Sequence, residues 1–152
     1  MLDRETARVL ARELRRAEAL GVAVRALRHR DLSRSRLEER LLARGAGQDA
    51  RADALAALER AGLVDDARVA AGRALALAGR GFGDAAVRHT LEQEGLAADH
   101  VEAALARLPP ESERVQEWLA RRGAGPKTLR WLAAKGFDPA SFEEVDAFAD
   151  EA

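Results

Sequence analysis

A nineteen-residue phrase occurs three times in this chain without a gap: Leu27 to Gly45, Leu77 to Gly95 and Trp118 to Gly136. Each copy opens on an apolar residue (Leu27, Leu77 or Trp118) and places an arginine three residues on (Arg30, Arg80 or Arg121). Each has a leucine four residues before its closing glycine, namely Leu41, Leu91 or Leu132. The positions between diverge. Such a chain is read as copies of one small unit and the surface they build together, rather than as one fold around one pocket.

The residues favour helix. Alanine, leucine, arginine and glutamate dominate, aromatics are 4% and tyrosine is absent, whereas strands are rich in β-branched and aromatic residues. No segment alternates as a strand would, so the expected class is all-α. The spacing predicts a charged helix from about Asp3 to Leu20, with Gly21 as a possible interruption, then Val22 to Arg30 as the first helix of repeat one. Ser35 with Glu38 has capping-box spacing, Leu37 and Leu41 share a helix face, and Gly45 and Gly47 end that helix. Asp49 or Asp53 would cap a third helix bearing Leu55 and Leu58, closed by Gly62.

The plan repeats. Asp65 and Asp66 open a helix running to about Ala78, and Phe82 is expected to plug the core from the Gly79–Gly83 turn. Asp84 would cap a helix bearing Val87 and Leu91. Asp99 with Glu102 would cap a helix bearing Val101 and Leu105, stopped by Pro109-Pro110. The third copy starts near Glu111 with Val115, Trp118 and Leu119. Pro126 suits a first helical position, and Leu129 and Leu132 follow. Asp138-Pro139 would cap a last helix whose buried stripe is Phe142, Val145 and Phe148 or Ala149. The expected organisation is an N-terminal helix over 1–21 and three-helix repeats over 22–64, 65–108 and 109–152, forming an elongated, curved body. A unit of about 40 residues is too small to be stable alone, so neighbours must complete its core.

Several chemistries find no support. There is no cysteine, hence no disulfide or cysteine-based zinc site. His29, His89 and His100 lack metal-ligand spacing. The glycine run at 79–83 follows a helix and lacks the Gly-Lys-Ser/Thr ending of a phosphate loop, and Pro126 separates Gly125 from Lys127 in the second candidate. No nucleophile has an evident base. No cofactor is implied, and an enzyme is not expected. No apolar run approaches the roughly 20 residues of a membrane span, and the start of the chain reads as a charged helix rather than a signal peptide. A soluble, cytoplasmic protein is expected.

The net charge is −1, unevenly spread: +4 over 1–64, −2 over 65–108 and −3 over 109–152. Arg28, Arg30, Arg34, Arg36, Arg40 and Arg44 form the densest basic cluster. They could meet phosphate, or form a solvated face paired with Glu38 and Glu39. Arg30, Arg80 and Arg121 share one register. Their plainer reading is pairing or capping within each unit; the functional one is a row of cations. Arg88 is a further candidate, and Lys127, Arg130 and Lys135 occupy the matching helix of copy three. Trp118 stands in register with Leu27 and Leu77 and is expected in the core. Trp131 aligns with Arg40 and Thr90, is expected to be less buried, and is the better interface candidate.

Four stretches, in order, carry a family resemblance. They are Ala26-Leu27 with Arg30-Asp31-Leu32-Ser33 and Leu37 to Leu41; Gly62 through Arg68; Arg80-Gly81-Phe82-Gly83 through Leu91 and Gly95-Leu96; and Leu132 through Phe137. Together they resemble the RecX family, bacterial regulators of the RecA recombinase, over about residues 22–149. Val69, Asp84 and Glu94 depart from the usual phenylalanine, proline and lysine. The resemblance implies three tandem three-helix units. It also implies a monomer that binds the groove of the RecA filament on single-stranded DNA, inhibits ATPase and strand exchange, and so modulates recombination and DNA repair. The alternative is a helical-repeat nucleic-acid-binding module acting without a recombinase.

Overall fold

In a computed structural model, residues 1–142 are described, and among them every regular element is an α-helix. The order is α1 (Arg4–Leu27), α2 (Arg34–Ala43), α3 (Gln48–Arg60), α4 (Asp66–Gly79), α5 (Asp84–Gln93), α6 (Ala98–Ala106), α7 (Glu111–Arg122) and α8 (Pro126–Ala134). A further helix begins at residue 140. Val145, Phe148 and Ala149, expected in its buried stripe, lie outside the described residues. The chain divides into two compact units, Met1–Val69 and Ala70–Ala152, with the boundary inside α4.

In the first unit α1 runs unbroken through Gly21, against the expected interruption. A mid-helix glycine costs only about 1 kcal/mol. Ala19, Ala23 and Ala26 are buried on one face of α1 and pack in one core with Leu37 and Leu41 of α2 and Ala54, Leu55 and Leu58 of α3. The three alanines recur at helical spacing, so their small side chains let backbones approach closely. Leu37, Leu41 and Leu55 are fully buried, each worth about 2 kcal/mol by area removed from water.

In the second unit Ala70, Ala74 and Ala78 of α4, Val87 and Leu91 of α5, and Val101, Ala104 and Leu105 of α6 are buried. Val115 and Leu119 of α7 pack with Leu132 of α8 and Phe137, flanked by half-buried Trp118, Leu129, Trp131 and Phe142. The leucine four residues before each closing glycine is therefore fully buried in all three copies. Gly45, Gly95 and Gly136 all take positive φ, the left-handed conformation that ends a helix.

Most caps differ from expectation. Ser33, not Ser35, caps α2, accepting from the Arg36 N–H at 3.2 Å, so Ser35 lies inside the helix and no capping box forms with Glu38. Gly47, Gly83 and Ala97 hold the N-cap positions of α3, α5 and α6 without a side-chain bond. Asp49, Asp84 and Asp99 sit instead in the first turns, where a carboxylate meets the positive end of the helix dipole. Asp53 lies farther along α3.

Asp3 does cap α1: the Thr6 N–H donates to it at 2.7 Å and holds its carboxyl below the ordinary 3.8. The expected pair Asp65-Asp66 splits its work. Asp65 accepts from the Arg68 N–H at 3.0 Å at the start of α4. Asp66 accepts from the Arg34 N–H at 2.7 Å and so caps α2, 32 residues away.

Candidate functional site

Two surfaces, one in each unit, gather the candidate residues. In the first unit the basic cluster separates into paired and unpaired arginines. Arg34 donates through Nε to Glu59 at 2.5 Å and lies 3.5 Å from Glu38. Arg36 pairs with Glu39 at 2.9 Å. Both bind their own chain, as the solvated-face reading expects. Arg28, Arg30, Arg40 and Arg44 are exposed, and among the described residues no carboxylate pairs with them.

Arg40 and Arg44 border a groove of about 380 Å³ between α1 and α2, which Arg25 and His29 line from the other side. Its apolar lining is Val22, Ala26 and Ala43, and it contains no acidic residue. Arg25 was missed by sequence reasoning. It lies outside the repeated phrase, and only the packing of α1 on α2 brings it to Arg40 and Arg44.

The second surface is an alternation of cations and rings. The Trp118 and Trp131 ring centroids are 5.1 Å apart with planes at 56°. Arg121 lies 5.3 Å from the Trp118 centroid and Arg122 lies 4.3 Å from that of Trp131. Lys135 Nζ is 4.3 Å from the Phe82 centroid and 5.7 Å from that of Trp131. Arg80 lies 5.5 Å from Phe82. A cation over a ring face is attracted by the ring's quadrupole at these distances. Among the described residues none of these four cations has a carboxylate partner.

Two burial expectations are corrected here. Trp118 is half-buried, packed like Trp131 against the core of Val115, Leu119, Leu132 and Phe137. Phe82 is likewise half-buried and does not plug the core, because Arg80 and Lys135 cover its ring. What enters the packing there is the glycine pair around it. A Cβ on Gly81, at φ +87, would lie 2.7 Å from Trp131 Cη2. A Cβ on Gly83 would collide with the backbone at Gly136 and Phe137. Without side chains, the Gly83 N–H reaches the Lys135 carbonyl at 2.9 Å, joining the turn before α5 to the end of α8.

The plainer reading of the shared arginines, pairing or capping within each unit, does not describe them. Among the described residues Arg30 has no acidic partner, and Arg80 and Arg121 lie over rings. Arg88 does pair, donating to Glu102 at 2.7 and 3.2 Å. That hydrogen bond raises the Arg88 pKa and holds the Glu102 carboxyl below its ordinary 4.5. Lys127 and Arg130 are exposed on α8.

Sequence reasoning missed the residues that hold the second surface in place. Arg114 is buried and pairs with Asp84, while donating to the Phe82 carbonyl at 3.0 Å and the Pro109 carbonyl at 3.1 Å. Glu111 accepts from the Asp84 N–H at 2.7 Å, the Asp138 N–H at 3.1 Å and the Ser141 hydroxyl at 3.1 Å. Arg122 was passed over because register comparison selects Arg121. Among the described residues there is no group of three His, Cys, Asp or Glu that could hold a metal ion, and no helix is long and apolar enough to cross a membrane.

The chain is 36% identical over 140 residues to the regulatory protein RecX of Xanthomonas oryzae pv. oryzae, covering 86% of this chain and 85% of that one. It is 38% identical over 132 residues to the regulatory protein RecX of Chromohalobacter salexigens, covering 81% and 85%. The chain belongs to the RecX family. Its fold is that of RecX crystal structures: one superposes with a TM-score of 0.79 at 20% identity, covering 97% of this chain and 80% of that one. RecX from Lactobacillus salivarius gives 0.76 at 16% identity, covering 91% and 98%. No family model matches the chain. The RecX relatives are named regulatory proteins.

Proposed function

We propose that this chain is a RecX-type regulator that docks on the RecA filament on single-stranded DNA and lowers its ATPase and strand exchange. Family membership supplies the partner. The observation that carries the reading at the level of residues is the strip Arg80, Phe82, Lys135, Trp131 and Arg122. It presents cations that have no carboxylate partner among the described residues and that lie 4.3 to 5.5 Å from aromatic ring centroids. Guanidinium groups bind carboxylate and phosphate alike. Arginine and tryptophan are also the residues that most often dominate an interface energetically.

The role needs surface and no catalytic group. In this reading the repeats over 22–64, 65–108 and 109–152 are successive binding units, and the protein acts in the cytoplasm as a monomer. Co-sedimentation with RecA filaments tests the docking. The chain should pellet with filaments assembled on single-stranded DNA, and Trp131→Ala should weaken this by about tenfold, the cost of an ordinary interface anchor. A chain that stays in the supernatant at saturating filament is incompatible with the reading.

A further inference from the structure

The groove between α1 and α2 has no part in the strip, and its chemistry differs. Arg25, Arg40 and Arg44 converge on it with His29. Several other arginines of this unit are engaged, Arg34 with Glu59, Arg36 with Glu39, Arg68 with Asp31 and Arg12 with Asp53, while Arg28 and Arg30 stand exposed without a carboxylate partner among the described residues. What sets the groove apart is convergence: three arginines without a carboxylate partner among the described residues meet at one hollow whose lining carries no acidic residue.

The hollow continues along α1. An adjoining space of about 100 Å³ shares Val22 and Arg44 with it and reaches Arg15, Gly45 and Gly47, with Glu18 as its one acidic residue. Gly47 is the N-cap of α3, whose first turn already holds the Asp49 carboxylate, so the cationic groups of the hollow are the arginines. From Arg15 to Ala26 the groove follows α1 for about 16 Å at 1.5 Å per residue. That length suits a chain of anions better than a single ion.

We propose that this groove binds the phosphodiester backbone of a nucleic acid strand, without reading or stacking its bases. Charge complementarity favours a polyanion. The absence of aromatics decides what part of it is gripped: all phenylalanines and tryptophans of the chain lie at residue 82 or beyond, so the first unit has no ring on which a base could stack. The contact is therefore sequence-independent and electrostatic. It deepens the regulator reading by adding direct contact with the DNA strand, and rests on that reading only for where the contact is used.

The test uses the full chain and a fluorescent abasic deoxyribose-phosphate oligomer of about twenty units, which has the backbone and no bases. Binding is followed by anisotropy over a range of salt. The wild-type protein should bind. Arg25→Gln/Arg40→Gln/Arg44→Gln should lower affinity at least tenfold at low salt. It should also flatten the salt slope by about 2, since each phosphate contact on a single strand contributes roughly 0.7. The corresponding triple lysine variant should recover most of the binding, and Arg60→Gln, which removes one charge elsewhere in the unit, should change little.

Unchanged affinity and slope in the triple glutamine variant would overturn the proposal. So would a variant that still binds the abasic oligomer but no longer pellets with RecA filaments, because the groove would then seat an acidic protein segment. Neither result depends on whether the wild-type protein inhibits the recombinase, so failure of the inference and failure of the regulator reading are separable.

Discussion

Trp131 lies directly over Gly81, whose missing side chain leaves room for the indole: a Cβ there would stand 2.7 Å from its Cη2 and 3.1 Å from Trp118 Cζ2. Gly81 also holds φ +87, a conformation that costs an L residue roughly 1–2 kcal/mol. Gly81→Ala should therefore destabilise the protein by about 2–3 kcal/mol, strain and displaced indole together. Urea unfolding followed by tryptophan fluorescence checks both parts, because the native emission should shift as Trp131 moves outward.

Asp66 caps a helix that is not its own. Asp66→Ala should cost about 1 kcal/mol, the usual worth of an N-cap, and Asp66→Asn should keep most of it because the amide oxygen still accepts. Hydrogen exchange locates the effect. The Arg34 amide should exchange faster in the alanine variant. Asp65→Ala should instead release the Arg68 amide at the start of α4.

Arg114 is a buried charge of the second unit, with a side chain 6% exposed. Arg114→Met removes its bonds to the Phe82 and Pro109 carbonyls and leaves Asp84 without its cation. A loss of about 2–4 kcal/mol is expected, below the full figure for a buried pair because Asp84 keeps some solvent. Thermal unfolding measures it. The turn holding Phe82 should loosen at the same time, so Lys135→Met should have a smaller effect in this background than alone.

Helix segments and their buried faces were legible from local spacing. Leu37 and Leu41 lie one turn apart, Leu91 and Leu132 follow in register, and each segment closes on a glycine, so neighbours along the chain suffice. Caps were not. Ser33 and Ser35 look alike until the helix start is known, and Asp66 acts on an amide 32 residues away. The candidate site was legible as residue types but not as groupings. Arg34 and Arg40 are six residues apart on one helix, yet Glu59 of α3 engages the first and the second lines a groove with residues of α1. Trp131 stood out by register, but Arg122, which covers its ring, did not, because that contact belongs to the packing of α7 on α8.

The Arg88–Glu102 pair gives a signed pH dependence. Glu102 is held below its ordinary 4.5 in the folded protein. Its contribution is fully present above the unfolded value and is lost as pH falls through the lower folded value. The wild type should exceed Glu102→Gln in melting temperature near neutrality, and the difference should close as the pH drops below about 4.5. A difference that persists at pH 2 would assign the effect to packing instead. Raising the salt should shrink it at neutral pH, since the pair is exposed.

The central claim, regulation of a recombinase, is tested most directly by the DNA-dependent ATPase of RecA from the same organism on single-stranded DNA. Wild-type protein should inhibit it in a dose-dependent manner. Arg80→Glu/Arg122→Glu/Lys135→Glu, folded by circular dichroism, should need at least about ten times more protein for the same inhibition, as expected when several interface anchors are lost. Full ATPase activity at saturating wild-type protein would contradict the account.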